Sequence, residues 1–495
     1  MSPIMHKTKT SLSLGHLAQL PRAGNALLLA AVALMLSACA VGPDYKRPEA
    51  AVPGAYKENQ DWVQAAPADA LDRGAWWTMF NDPVLNELEA AVEVSNQNVA
   101  AAVAAYEQAR AIVREQRASL FPIISLDGSG TRSGSGGGGV TTSNGSTVST
   151  GSRTSNNYQA SIGGTWEPDV WGSLGRSVNG ANATSQASAA DLASAKLSAQ
   201  GELATNYISL RQTDAQKTLL ADTIVGYQRS LQITQNRYNA GVATKSDVLQ
   251  AQTQLANTQA DEVGLARTRA QLEHAIAVLI GKAPGDFTLA AAEWKATIPE
   301  VPVGIPSVLL QRRPDIAAAE RRVAAANEQI GVAQSAFYPS FKLNASYGYG
   351  ASKVSDLFNT SANVWSLGLS AAQTLFDAGA TRARVDAAKA AYQQTVANYR
   401  QTVLTAFQGV EDQLAATRVL AQQQELRRQA SAAADQVEQQ ALNRYRQGQI
   451  SYTDVVTAQA TALSARSALV QSQADRQTTA ISLIQALGGG WHVEP

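Results

Sequence analysis

The chain has 495 residues, and its 40 Lys and Arg balance 40 Asp and Glu, which excludes a basic nucleic-acid surface or an acidic tail as the dominant feature. Only 16% of residues are charged while 45% are apolar, as suits a large buried surface or one partly in lipid. One Cys excludes a disulfide framework and a zinc ribbon, and four His, two of them before residue 17, leave little for a His-based metal or catalytic site.

Lys7, Lys9 and Arg22 precede the apolar run from Ala26 to Leu36, and no acid stands before Asp44. The run is too short to cross about 30 Å of hydrocarbon as a helix but suits the apolar part of a signal peptide. It ends Leu36-Ser37-Ala38-Cys39, the pattern of a bacterial lipobox, cut before a cysteine that is then acylated. An ordinary secretory signal or an uncleaved anchor is the alternative, and the placement of the only Cys at that spot favours the lipobox. Several acyl chains anchor firmly where one does not. Ala40 stands where an Asp would favour retention in the inner membrane. Residues 1–38 are thus read as a signal peptide and 39–82 as a lipid-anchored N-terminal segment. Cleavage leaves the mature chain slightly acidic.

A helix is expected over Val84–Ser119, then a weak strand after Pro122 with Ile124 and Leu126, then a Gly/Ser/Thr-rich loop from Gly128 to Asn156. In the next strand Tyr158, Ala160, Ile162, Gly164 and Trp166 alternate with polar or small residues. Period two with one apolar face over about ten residues is the transmembrane β-barrel pattern, although a half-buried soluble sheet shows the same alternation. From Ser173 to Tyr238 there is no Pro. At 1.5 Å per residue a helix over that run is about 100 Å long. Its apolar residues Leu203, Tyr207, Leu210, then Leu220, Ile224, Tyr227 and Leu231, fall at alternating steps of four and three, a coiled-coil seam. A turn and a helix over Ser246–Ile280 follow.

The second half repeats the first. Asn236-Arg237-Tyr238-Asn239-Ala240-Gly241 matches Asn443-Arg444-Tyr445-Arg446-Gln447-Gly448, Ser246-Asp247-Val248 matches Thr453-Asp454-Val455, and Gly281 matches Gly488, all at one shift of 207. The domain reading is therefore a first repeat at 83–282, an inter-repeat linker at 283–311, a second repeat at 312–490 and a tail at 491–495. Strands recur from Phe341 to Tyr349 and from Trp365 to Ala371. Four strands cannot close a barrel, and an open edge cannot sit in lipid, so membrane-spanning strands require an oligomer. Twelve strands from three chains is the smallest count that leaves a usable lumen.

Three further segments carry a resemblance: Cys39-Ala40-Val41-Gly42-Pro43-Asp44-Tyr45 with Arg47-Pro48, the run Ile305-Pro306-Ser307-Val308-Leu309-Leu310-Gln311-Arg312-Arg313-Pro314-Asp315-Ile316, and Ala486-Leu487-Gly488-Gly489-Gly490-Trp491. With the two Arg-Tyr-x-x-Gly turns, the chain resembles the TolC family of outer-membrane channel proteins, in its acylated OprM- and NodT-type branch. The resemblance implies an α+β membrane protein: a homotrimer with a twelve-stranded barrel continued by a twelve-helix periplasmic tunnel. It also implies an equatorial region from Cys39–Asp82, Ala283–Gln311 and Trp491–Pro495. The implied partners are a periplasmic adaptor (membrane fusion) protein, an inner-membrane pump of the resistance-nodulation-division type and outer-membrane lipid.

By the same resemblance the turns lie at the periplasmic tip, where such channels close. Tyr445 and Arg446 match a tyrosine–arginine pair that holds the tip shut against an acid on the other hairpin; the first repeat has Tyr238 opposite Tyr445 but Asn239 where Arg446 stands, and Arg237 beside them completes the candidate gate. Asp247 and Asp454 stand just beyond the turns, either as N-terminal helix caps or as carboxylates that favour cations in a narrow lumen. No phosphate loop, nucleophile elbow, zinc-protease helix or dinucleotide fingerprint is present, so no enzyme activity, cofactor or metal is expected. The reading is a passive, gated exit duct for drugs or other small toxic compounds. A duct for type I protein secretion and a non-conducting structural envelope lipoprotein stand as alternatives.

Overall fold

The computed structural model describes residues 40–50, 57–58, 74–135, 140–143, 146–149, 153–299, 301 and 313–489; Cys39, the lipobox and the tail 491–495 lie outside them. Two compact units divide the chain: Met1–Pro43, Ser119–Arg176 and Gly331–Arg382 in one, Asp44–Ala118, Ser177–Ile330 and Ala383–Pro495 in the other.

The first unit is a sheet. β1 (Ile123–Ser135), β4 (Arg153–Trp166), β5 (Ser340–Ala351) and β6 (Asn363–Ala372) pair antiparallel in that order, and β2 (Val140–Ser143) pairs with β3 (Ser146–Ser149) as a separate hairpin. The register explains the alternation in the sequence. Leu126 lies opposite Ile162, Ile162 opposite Tyr347 and Tyr347 opposite Trp365, so one face carries a continuous aliphatic and aromatic row. On the other face Ser125, Gly163, Ser346 and Ser366 form the matching row. The apolar row is open: Leu126 is 83% exposed and Trp365 72%. The expected loop from Gly128 to Asn156 is corrected. Strand pairing continues to Ser135 and Arg153, because Ser and Thr extend the ladder without breaking it, and Ser133 and Ser155 hydroxyls meet across it at 2.8 Å.

The second unit is helical. Asp82 caps α1 (Pro83–Ser95), accepting from the Val84 and Leu85 amides. The single helix expected over Val84–Ser119 is broken at Asn96, whose Oδ1 caps α2 (Gln97–Ala118) through the Asn98 and Val99 amides. Its Nδ2 donates to the Leu279 carbonyl at the end of a later helix. α3 (Ser173–Asn239) and α6 (Ala380–Arg446) each run 67 residues, and α4 (Lys245–Leu279) and α7 (Tyr452–Ala486) each run 35, with α5 (Pro314–Ser335) opening the second repeat. Both pairs of long helices are thus related by the same 207-residue shift. Leu203, Tyr207 and Leu210 of α3 and Val403, Phe407 and Val410 of α6 are buried together with Leu85, Leu88 and Ile481, so the four-three seam is the core. No described helix is long and apolar enough to cross a membrane.

One core position runs against its surroundings. Glu89 on α1 is fully buried, neither carboxyl oxygen has a hydrogen-bond partner, and burial pushes its pKa up to about 9. The folded state therefore holds a proton that the unfolded chain releases above about pH 4.3. Stability is fully present below that value and falls as pH rises towards 9. Glu89→Gln is expected to abolish that slope and to raise stability at pH 8 by roughly 2 kcal/mol. Thermal unfolding of wild type and variant at pH 5 and pH 8, followed by circular dichroism, checks this; parallel slopes would refute it.

Candidate functional site: the helical tips

Each long helix ends on its Arg-Tyr-x-x-Gly turn. Gly241 and Gly448 adopt φ of 75° and 77°, the left-handed conformation that terminates a helix, and their amides donate to the Tyr238 and Tyr445 carbonyls at 2.9 Å. Val242 and Gln449 close the motif by donating to the Arg237 and Arg444 carbonyls. The repeated motif is therefore first a helix stop. Four residues after each glycine, at Lys245 and Tyr452, the return helices begin on matched capping boxes. Asp247 accepts from the Thr244 amide at 2.9 Å while its own amide donates to Thr244 Oγ1, and Asp454 accepts from the Ser451 amide at 3.0 Å and from the Ser451 hydroxyl. Asp454→Ala should cost about 1 kcal/mol and fray the first turn of α7, seen as faster amide hydrogen exchange over Tyr452–Val456 with no change elsewhere.

Between the two turns sits a small core of its own. Tyr445, Tyr452, Val455 and Ala251 are buried together, with Leu231, Ile233, Leu442 and Ile450 packed around them. The Tyr445 and Tyr452 rings meet edge to face at 5.2 Å, and the Tyr445 hydroxyl reaches Thr234 Oγ1 at 3.4 Å. Burial, reinforced by Tyr445, pushes the Tyr452 hydroxyl up to about 12, so it stays neutral.

The arginine that joins the hairpins is Arg237. Its Nη1 donates to the carbonyls of Tyr445 at 3.0 Å and Arg446 at 3.2 Å, and its guanidinium stacks 4.7 Å from the Tyr445 ring centroid. It thereby places a cation on the C-terminal carbonyls of α6, where the helix dipole is negative. Arg446, the residue the sequence comparison puts forward, is exposed and reaches only Asn443 Oδ1 of its own helix at 3.4 Å. Tyr238 is likewise exposed, under Lys245 Nζ at 5.6 Å. The structure thus brings together Arg237, Tyr445 and the unforeseen Thr234 and Tyr452, and leaves Tyr238 and Arg446 outside. The signal for Tyr452 was present: an aromatic at the first position of α7 faces the preceding turn.

A four-stranded sheet with an open apolar face, joined in sequence to hairpins of 67 and 35 residues, defines an outer-membrane channel subunit. Comparison with known proteins agrees. The outer membrane efflux protein family matches residues 90–282 and 305–489, and the chain belongs to that family. It is 32% identical over 477 residues to the probable efflux pump outer membrane protein TtgC of Pseudomonas putida, covering 94% of this chain and 96% of that one. It is 28% identical over 467 residues to the cation efflux system protein CusC of Escherichia coli strain K12, covering 94% and 99%. The structure of the outer-membrane channel OprN superposes with a TM-score of 0.82 at 30% identity, covering 92% of this chain and all of that one. The protein is the outer-membrane exit duct of a tripartite efflux system, located in the cell outer membrane. Its fold is that of a trimeric channel subunit contributing four strands to a twelve-stranded barrel and its long helices to a twelve-helix tunnel.

Proposed function

We propose that three copies form a passive duct for small toxic organic compounds, handed on by a periplasmic adaptor and a pump of the resistance-nodulation-division type. The duct has no reaction of its own. The observation that carries this is the sheet: β1 and β6 each have one edge unpaired among the described residues, and the exposed apolar face would meet lipid only if neighbouring copies paired those edges. Relatives are named for antibiotic, toluene and cation export. Organic cargo is favoured here because Met79 is the only Met after residue 38, leaving no thioether ladder for a soft metal. Anchoring by acylated Cys39 and the repeat boundaries at 83–282 and 312–490 belong to the same proposal.

Closure is assigned to the tips, with Arg237 and Tyr445 as the latch between hairpins, Tyr238 and Arg446 on the exposed rim, and Asp247 and Asp454 as caps whose charge also favours cations. The test is single-channel recording of the purified protein in a planar bilayer under a salt gradient. A low conductance with cation-selective reversal potential is expected. A complete absence of current, in wild type and in latch variants alike, would return the protein to the reading of a non-conducting envelope lipoprotein.

A further inference from the structure

The 207-residue shift relates more than the tips. Arg211 and Arg269 of the first repeat correspond to Arg418 and Arg476 of the second. In the first repeat this pair grips the chain itself: Arg211 Nη1 donates to the Ala290 carbonyl at 2.8 Å and Arg269 Nη2 to the Leu289 carbonyl. Two acids neutralise it, Asp214 at 2.7 Å from Arg269 and Glu273 at 3.2 Å, the latter also accepting from the Leu289 amide. In the second repeat the positions of those acids are Ala421 and Ala480.

What remains there is a cavity of about 590 Å³. Its walls combine Arg418 and Arg476 with the apolar side chains of Ile298, Pro299, Val301, Leu414 and Leu483. Among the described residues one acid faces it: Glu58 meets Arg418 at 2.5 Å, while Glu411 is turned to the backbone amides of Lys57 and Glu58. Arg476 Nη1 donates to Gln424 Oε1. The described lining residues therefore carry one net positive charge beside a greasy wall, in a volume typical of small-molecule sites.

We infer that this cavity binds an amphipathic monoanion, a carboxylate on a single medium-length acyl chain. The head group would take the place that main-chain carbonyls and acids hold in the first repeat, accepting from the two guanidinium forks, whose geometry matches a carboxylate. The chain would lie along Ile298, Val301, Leu414 and Leu483. Arg476 supplies the partly buried donor and Arg418 the second, shared with Glu58. The inference does not depend on conduction, and it is read without a current.

The test uses the full-length protein in nanodiscs of zwitterionic lipid, titrated calorimetrically with decanoate, and with decanol and acetate as controls, after subtraction of empty discs. Saturable binding of one decanoate per chain is expected, with decanol at least about tenfold weaker and acetate silent. Arg476→Ala and Arg418→Ala should each weaken decanoate about tenfold, and Glu58→Gln should tighten it several-fold by removing the competing acid. Arg428→Ala, which breaks only the exposed pair with Glu425 on the same helix, should leave it unchanged. Unaltered melting of each variant separates lost binding from lost folding, and Glu58→Gln carries the test if an arginine variant does not fold. Equal binding of decanoate and decanol, or binding unmoved by the arginine and Glu58 variants, would show mere partitioning and overturn the inference. So would binding that appears only after removal of residues 491–495, which would make the tail the occupant, or no binding in either form.

Discussion

Replacing Arg237 with alanine is expected to raise the open probability of the channel about tenfold or more, with conductance shifting from small, brief events to a larger steady level. The side chain makes two charge-assisted hydrogen bonds to the terminal carbonyls of α6 and stacks on the Tyr445 ring. Each kind of contact is worth about 1 kcal/mol or more where water is partly excluded, so its loss moves a two-state tip by at least one decade. Arg237→Lys keeps the charge but not the planar fork and should recover only part of the closure. Arg446→Ala should change little, since its contact lies within its own helix and in solvent. Single-channel recording ranks the three, and the reverse order, with Arg446 dominant, would move the latch to the neighbouring copy in the trimer.

Asp214→Ala should destabilise the folded chain by about 3–5 kcal/mol, because it strands buried guanidinium charge. Asp214 accepts from Arg211 at 3.2 Å and from Arg269 at 2.7 Å, with side-chain exposures of 6% for the acid and 4% for Arg211. The same network continues through Tyr207, whose ring lies 4.9 Å from Arg211 and whose hydroxyl donates at 2.6 Å to Asp82, the cap of α1. Burial and that bond push the Tyr207 hydroxyl up to about 12. Removing the acid therefore loosens the first helix and the Phe287–Ala290 stretch together. A lowered melting temperature accompanied by faster tryptic cleavage after Lys282 is the expected result. Arg418→Ala, at the second-repeat counterpart of Arg211, breaks an ion pair in which Arg418 is 57% exposed and should cost at most about 1 kcal/mol. Equal losses for the two substitutions would refute the distinction between a clamp and an open site.

Sequence patterns reached the architecture wherever a period was imposed by burial. The alternation in Tyr158–Trp166 and Phe341–Tyr349 reflects two faces in different surroundings, and the four-three spacing of Leu203, Tyr207 and Leu210 reflects a seam against α6. The glycine-rich arm of the first repeat escaped, because Ser, Thr and Gly carry no facial contrast and their strand state is set by the partner strand alone. The kink at Asn96 escaped for a related reason: an Asn inside an apolar pattern reads as a surface residue until its amide is seen tied to Leu279. At the tips, equivalence by shift points to the residues but not to which repeat supplies the cross-contact. Arg237 and Arg444 occupy the same place in the motif, and only Arg237 finds helix-end carbonyls opposite it. Charge clusters such as Arg211, Asp214, Arg269 and Glu273 are assembled from two helices and remain invisible to local spacing.

The matched spans of the helices, 67 with 67 and 35 with 35, have a consequence for how such a protein can change. Two struts of equal length keep their turns level, and a heptad gained by one alone would leave its turn about 10 Å beyond the other, with the Arg237–Tyr445 contact out of reach. Growth or shrinkage of the shaft must therefore occur in both copies together, or not at all. The repeats differ in length instead across the strands and their connection: Leu120-Phe121-Pro122 matches Phe337-Tyr338-Pro339 at a shift of 217 while Gly172 matches Gly379 at 207, so the first repeat is ten residues longer there, where length is free of that constraint. Alterations in size are tolerated at one end of the coding repeat and synchronised at the other.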